Sequence, residues 1–305
     1  MDNLVLILAA AIAAGTPLVF AALGELVTEK SGVLNLGVEG MMLVGAIAGF
    51  ATASVSGSLV IGIFAGMLAG ALMSFVFAVL TLNLMANQVA SGLALTLFGV
   101  GLSAFVGKPF ESVSLPHYGP LEIPYLSQIP VVGTILFKQH ALVYVSWALF
   151  VGVSWFLYKS RAGLVLRSIG ESPESAHAIG YPVIRIRYLA TLFGGAMAGL
   201  AGAHLSEFYA PMWAEGMVAG RGWIALALVV FATWRPARVM VGAYLFGGVT
   251  IAQFFAQGSG VAVTSQLLSA LPYLATIVVL VFISRNVNTI RLNSPVSLGR
   301  AYRPD

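Results

Sequence analysis

The fold of this chain is indicated by runs such as Val60-Ile-Gly-Ile-Phe-Ala-Gly-Met-Leu-Ala-Gly-Ala-Leu72, which are apolar on every helical face. Of the 305 residues, 59% are hydrophobic and only 9% are charged. Soluble domains carry roughly 25% charged residues, so this composition requires lipid as a solvent. Backbone groups in hydrocarbon must pair within the segment, and barrel strands would alternate apolar and polar residues. The sequence therefore predicts an all-α, polytopic integral membrane protein.

Nine apolar runs are candidates for membrane spans, since a helix needs about 20 residues to cross a bilayer. They are Asn3–Leu23, Ser31–Ala53, Ser58–Leu82, Val89–Val106, His140–Tyr158, Tyr188–Ser206, Gly222–Trp234, Val239–Gln257 and Gln266–Ser284. We expect one transmembrane domain over residues 1–305. No basic residue precedes the first run, so we expect it to be retained rather than cleaved as a signal peptide.

The basic residues predict the orientation of these spans. They concentrate in the loop 159–187, at Arg235 and Arg238, and in the tail after residue 284. The positive-inside rule makes these regions cytoplasmic, which puts the N-terminus outside and the C-terminus inside. Of 15 Lys and Arg residues, three would then lie outside, namely Lys108, Lys138 and Arg221. The Pro-rich stretch 108–139 becomes an external loop, and the net charge of +4 reflects topology rather than nucleic-acid binding.

Glycine placement predicts an inverted 4+1+4 repeat. Four spans precede the fifth and four follow it, so the two quartets have opposite orientations. The second span of each quartet is interrupted by glycines, at Gly32, Gly37 and Gly40 and at Gly216, Gly220 and Gly222. Matched interruptions in an inverted repeat indicate a transport pathway near mid-membrane. Close helix packing, which also enriches membrane helices in glycine, is the alternative explanation.

The most informative segment is Gly32-Val-Leu-Asn-Leu-Gly-Val-Glu-Gly-Met-Met, which carries Asn35 and Glu39. Residues four apart share a helical face, and ionisable residues at membrane depth usually face a polar cavity. We therefore predict that Asn35, Gly37, Glu39 and Gly40 border a substrate pathway. A helix start at the cytoplasmic edge, with the nearby charged side chains in water, remains an open alternative.

A second segment, Gly170-Glu-Ser-Pro-Glu-Ser-Ala, lies in the basic loop. Ser172 is a favourable N-cap, Pro173 suits the first helical position, and Gly180 can end the helix in a left-handed conformation. The pattern predicts a helix of about two turns, too short to be stable alone. Such a helix either docks on a cytoplasmic partner or is an ordinary surface turn.

A third segment, Gly220-Arg-Gly-Trp-Ile-Ala-Leu-Ala, places Arg221 and Trp223 at the outer end of the seventh span. A cation and an aromatic ring at this position could contact a solute or the protein that delivers it. Equally, both residue types anchor ordinary spans at the membrane interface.

Together, these three segments resemble permeases of bacterial ABC importers, in the nucleoside and simple-sugar branch related to the ribose and branched-chain amino-acid permeases. The resemblance covers residues 23–284. It implies a second permease subunit, an ABC ATPase and an external substrate-binding protein or lipoprotein. It also implies that the loop contacting the ATPase consists of Gly170, Glu171, Ser172, Pro173, Glu174, Ser175 and Ala176. Ser172 stands where Asn is frequent in the family, but both residues cap helices well.

The expected function is import by alternating access across the bacterial inner membrane, with ATP hydrolysed on another chain. Few charges in the spans favour an uncharged polar solute, most simply a nucleoside, with Phe98, Phe105 and Trp223 available for stacking. A simple sugar is the alternative. A stand-alone secondary transporter would need deep carboxylates, of which Glu39 is the one candidate. The scattered histidines and the missing phosphate-binding motif argue against an enzyme, and no cofactor or metal is expected.

Overall fold

A computed structural model describes residues 2–116, 119–258 and 293–303, together with positions 270, 271, 274, 275, 277, 278 and 281. The helices are α1 (Asp2–Lys30), α2 (Val38–Ser56), α3 (Leu59–Ala78), α4 (Gln88–Gly107), α5 (Val132–Leu136), α6 (Ala141–Lys159), α7 (Arg161–Glu171), α8 (Pro173–Ala178), α9 (Val183–His204), α10 (Arg221–Phe231) and α11 (Pro236–Gly258). Single π-helical turns extend α3 over Val79–Asn83 and α9 over Leu205–Tyr209. Two short strands, β1 (Leu121–Glu122) and β2 (Lys138–Gln139), pair antiparallel.

The architecture is that of a polytopic helical membrane protein. Among the residues described, seven helices are long and apolar enough to cross a bilayer. The predicted seventh span is too short to be one of them, because the 11 residues of α10 extend only about 16 Å. The predicted ninth span, residues 266–284, lies mostly outside the described residues. The structure thus supports the helical membrane class, whereas the count of nine spans remains a prediction.

Two predicted span boundaries are wrong around residue 30. The first helix continues to Lys30 instead of ending at Leu23, and the second begins at Val38 instead of Ser31. Charged residues do not end α1, because Glu25 and Glu29 are buried in protein, each with about 1% of its surface exposed. Residues 31–37 between the two helices are non-helical. We call this stretch the break.

The centre of the molecule is formed by α1 and α9, which pack against each other. On one side α3 packs on α9, and on the other side α11 packs on α1. Helix α2 contacts α3, α4 and α9, while α10 contacts α1, α2 and α11. The buried core runs through this arrangement and contains the second half of α1, the first half of α2 and most of α9.

Small residues allow the central helices to approach closely. Gly62, Gly66 and Gly70 recur every four residues on α3 and are all buried. A Cβ atom at Gly199 of α9 would overlap the carbonyl oxygen of Gly66. Small-residue stripes of this kind let backbones meet directly in membranes, where dispersion contacts drive helix association. The α3–α9 contact is therefore made by backbone rather than by large side chains.

The predicted external loop packs on the end of the bundle that carries the end of α4. Ser114 bridges to Met212, and Leu115 N–H donates to the Pro211 carbonyl at 3.0 Å. Trp213 is buried in a small cluster with Phe50. The start of this loop is therefore held against the segment that follows α9.

Replacing Gly199 with alanine should test the α3–α9 contact. The added methyl group has no space, and overpacking of this kind costs about 1–3 kcal/mol. We expect a lower thermal unfolding midpoint in detergent. Gly152→Ala on α6 is the matched control, since nothing lies within 4 Å of a Cβ there. Equal midpoints for the two variants would contradict the close packing.

Candidate functional site

The break begins with a sharp turn after α1. Gly32 has φ +91°, a left-handed conformation that side-chain-bearing residues rarely adopt. The chain then runs without helical hydrogen bonds until α2 starts at Val38. Its amide and carbonyl groups lie within the bundle, where each unpaired group would cost several kcal/mol. The partners of these groups therefore define the local structure.

One set of partners comes from α4. The Gln88 side-chain oxygen accepts a hydrogen bond from Leu34 N–H at 2.8 Å. Two turns further along, the Thr96 hydroxyl donates to the Leu36 carbonyl at 3.0 Å. Between them, Gly92 lies so close to the break that a Cβ would meet Leu36 N at 2.8 Å. One face of α4 thus serves as a hydrogen-bonding support for the break.

The second set comes from acidic and amide side chains near the break. Glu25 Oε1 accepts from Asn35 N–H at 3.1 Å, and Asn35 Oδ1 accepts from Gly37 N–H at 2.9 Å. Asn35 is fully buried. The structure therefore contradicts the expectation that Asn35 and Glu39 share a helical face, because Asn35 precedes the helix and its amide oxygen pairs with backbone.

Glu39 joins the start of α2 to the start of α10. Its two carboxylate oxygens accept from Gly220 N–H at 2.8 Å and from Gly222 N–H at 2.7 Å. A Cβ at Gly222 would lie 2.5 Å from Glu39 Cα, so the two helix N-termini are in direct contact. Both N-termini carry partial positive charge, which a carboxylate between them offsets. The predicted first and third segments thus meet at one point.

The alternative in which the charged residues Glu25, Glu29, Lys30 and Glu39 lie in water is wrong. Glu39 is 7% exposed, and the exposed fraction of Lys30 is 8%. Glu29 accepts a hydrogen bond from the Trp234 indole at 2.5 Å, which ties the end of α1 to the turn after α10. Burial with specific partners is the usual condition of ionisable groups inside membrane proteins.

The contact between the starts of α2 and α10 at Glu39, here called the junction, has only some of the other predicted pathway residues beside it. Arg221 is half-buried and donates to the Met217 carbonyl at 3.1 Å, with its guanidinium 5.7 Å from the Tyr209 ring centre. Trp223 is partly buried against the main core. Phe98 is 55% exposed on the outward surface of α4, although Gly99 beside it packs on Gly40. The structure therefore brings the first two to the junction and leaves Phe98 on the surface.

The predicted loop helix is present as α8. Ser172 caps it by accepting from Ser175 N–H at 3.3 Å, Pro173 is its first residue, and Gly180 has φ +93°. Of the predicted ATPase-contacting residues, Gly170, Pro173 and Ala176 are buried against the protein. Glu171, Glu174 and Ser175 are exposed. The helix therefore presents a polar outer surface and a buried inner one.

Sequence reasoning missed the residues that support the break. Gln88 and Thr96 follow no recognisable motif, because their role depends on where α4 crosses the break. Glu25 and Glu29 could have been found, since two carboxylates one turn apart at the end of an apolar run are costly unless they have buried partners.

A helical membrane protein whose two interrupted helices meet at their N-termini has the architecture of a solute transporter. The chain belongs to the family described as branched-chain amino acid transport system / permease component, whose family model matches residues 7–283. It is thus a transport component of the permease type. No solved structure matches the chain.

Three relatives are informative. A protein of Haloferax volcanii, provisionally named as a glucose ABC transporter permease, is 42% identical over 97% of both chains. A nucleoside ABC transporter permease of Lactococcus lactis is 34% identical over 92% of both chains. A guanosine ABC transporter permease of Bacillus subtilis is 30% identical, covering 79% of this chain and 80% of its own.

Glu39→Gln should destabilise the protein. An amide offers one acceptor and directs its NH₂ group at a backbone N–H, so one buried donor loses its partner at a cost of about 1–3 kcal/mol or more. We expect a lower unfolding midpoint. Glu215→Gln, an exposed position in the loop before α10, is the control. If both variants unfold like the parent, Glu39 does not hold the two helix starts together.

Proposed function

We propose that this chain is the membrane-spanning subunit of an ATP-driven importer that works by alternating access. ATP would be hydrolysed on a separate ABC ATPase, and solute would arrive on an external binding protein or lipoprotein. The observation that carries this proposal is the junction of two interrupted helices at Glu39, linked through a buried contact to a capped helix on a basic loop. Gly170 at the end of α7 packs directly on the Lys30 carbonyl, at the start of the break.

The inverted 4+1+4 repeat belongs to this proposal. Exchanging α1 with α9, α2 with α10 and α3 with α11 maps the main contacts among these six helices onto one another. The α3–α9 contact then corresponds to α11–α1, and α2–α9 corresponds to α10–α1. The contacts α1–α9 and α2–α10 correspond to themselves. This correspondence supports two inverted halves with a pathway between them.

The proposed orientation has the N-terminus outside and the C-terminus in the cytoplasm of a bacterial cell. Several basic residues lie together at one end of the bundle, where Arg187 contacts the end of α1 and the indole of Trp234 places Arg235 nearby. The opposite end carries the loop 108–139, with its Glu122–Lys138 ion pair at 3.2 Å. The surplus of positive charge at one end supports a cytoplasmic location for it.

The proposed pathway passes the junction and the outward surface of α4. On the side of the protein interior, its wall would be formed by Asn35, Gly37, Glu39 and Gly40. The exposed Phe98 faces outward. A second permease subunit, in our proposal a different chain, would pack against this apolar surface and complete the pathway. Asn35 and Glu39 accept hydrogen bonds from backbone N–H groups. Their role in transport would therefore be to hold the junction together rather than to bind the solute.

Guanosine or another nucleoside is the first solute candidate, since an uncharged polar molecule suits a pathway with few free charges. The nucleoside permease relatives support this choice. A simple sugar is the second candidate, favoured by the 42% identity with the glucose permease relative. Both solutes are neutral and carry hydroxyl groups that amide side chains can hydrogen-bond. Aromatic rings can stack on a base or on the apolar face of a sugar.

The ATPase contact is tested by Glu174→Lys. Reversing an exposed charge on α8 should disturb a docking surface without affecting the buried inner face. We expect the amount of ATPase that co-purifies to fall at least threefold while expression stays unchanged. Glu111→Lys in the external loop is the control. Equal co-purification with both variants would remove the proposed role of residues 170–176.

The pathway and its solute are tested by labelling a cysteine in this cysteine-free chain. In the assembled importer, guanosine should slow maleimide labelling of Phe98→Cys at least threefold, and glucose should not. Leu68→Cys, on the exposed surface of α3, should be indifferent to both. Slowing by glucose alone would favour the sugar alternative. Labelling that neither solute changes would contradict this pathway.

A further inference from the structure

Residues 293–303 pack across the basic end of the bundle and touch three separate parts of it. Lys30 Nζ donates to the Asn293 carbonyl at 2.7 Å. Ser297 N–H and its hydroxyl both donate to the Gly170 carbonyl, at 2.9 and 2.7 Å. Gly299 N–H donates to the Gly32 carbonyl at 3.2 Å. The segment therefore contacts both the end of α7 and the first residues of the break.

Arg187, on the second turn of α9, completes this set of contacts. Its side chain is only 1% exposed. Nε donates to the Ser31 carbonyl and Nη2 to the Ser297 hydroxyl, each at 3.0 Å. The guanidinium also lies 5.7 Å from the ring centre of Tyr302. Only arginine has a planar fork of donors that can reach both oxygens from one side chain.

Tyr302 extends the same assembly to the helix proposed to meet the ATPase. It is buried in a cluster with Ile169 of α7, Ala176 of α8 and Val183 of α9. The inner surface of α8 is thus connected through Tyr302, Arg187 and Ser297 to Ser31 and Gly32. The break continues from there to Glu39 and α10.

We infer that residues 293–303 and Arg187 form a clasp that makes α7 and α8, here called the coupling helices, move with the break as one body. This inference rests on the proposed function, since it states how motion of the ATPase would reach the pathway. Without the clasp, α7 and α8 would be joined to the break through the packing of Gly170 on Lys30 and through their contacts with α1 and α9. Displacement of α8 would then be absorbed locally. Arg187 is a positioning residue in this account and contacts no solute.

The test compares Arg187→Gln with Arg187→Lys, using the complete importer in proteoliposomes with radiolabelled guanosine and glucose as probes. The readout is solute imported per ATP hydrolysed. We expect Arg187→Gln to lower this ratio at least fivefold, with ATPase binding and basal hydrolysis within twofold of the parent. Arg187→Lys should be intermediate, because it can replace one donor. Arg185→Gln, exposed two residues away, should not change the ratio.

A second test adds a covalent link. A Cβ at Gly299 would lie 3.9 Å from Leu34 Cβ, a separation that suits a disulfide. Gly299 has φ +75°, which side-chain-bearing residues rarely adopt, so the reduced double variant, which carries the same backbone strain, is the reference for the oxidised one. Oxidising Leu34→Cys/Gly299→Cys should leave import unchanged in the parent and restore the ratio in Arg187→Gln. Import that stops on oxidation and returns on reduction would show that the two segments separate during transport, which overturns the clasp whether or not Arg187→Gln assembles.

An unchanged ratio in an assembled Arg187→Gln importer would also overturn the inference. So would a proportional fall of import and hydrolysis with the amount of complex, since this would make Arg187 a folding residue only. If the proposed function itself is wrong, the parent protein will import neither probe in an ATP-dependent manner. That result is distinct from a defect confined to the Arg187 variants.

Discussion

The structure depends on a constraint that membranes impose on backbone. Residues 31–37 leave the helix inside a protein surrounded by lipid, and each of their amide and carbonyl groups needs a partner there. Gln88, Thr96 and Glu25 supply three of these partners, and Asn35 supplies another from within the break. The positions of α1 and α4 follow from this requirement, since each must bring a polar side chain to a fixed point on the break.

The same logic links the break to the second interrupted helix. Glu39 satisfies amides at the start of α10 while lying in the first turn of α2, so one carboxylate serves two helix N-termini. This arrangement gives a transporter a defined joint at its centre. At the basic end, the break starts beside Gly170 and Ser297, so the break connects the Glu39 joint with the end of α7. In the proposed importer, such continuity is the physical route by which motion of an ATPase would cross the protein.

Much of this could be predicted from the sequence, and the exceptions have physical causes. Long apolar runs specify helices because lipid leaves the backbone no alternative, and the caps at Ser172 and Gly180 follow from local geometry alone. Hydropathy places the end of α1 too early because it treats Glu25 and Glu29 as costs and cannot show that protein surrounds them. The spacing of Asn35 from Glu39 fits a helix, whereas Gly32 and the supports on α4 keep Asn35 outside it. The roles of Gln88, Thr96 and Arg187 depend on contacts between residues far apart in the chain.

Backbone amide hydrogen exchange at the break tests the central claim most directly. In lipid nanodiscs, the hydrogen-bonded amides of residues 34, 35, 37 and 220–222 should exchange as slowly as those in the middle of α9. The exposed loop residues 214–216 should exchange fast and serve as the internal reference. Exchange at the break as fast as in that loop would show that its backbone is solvated rather than held by buried side chains, and the account would be wrong.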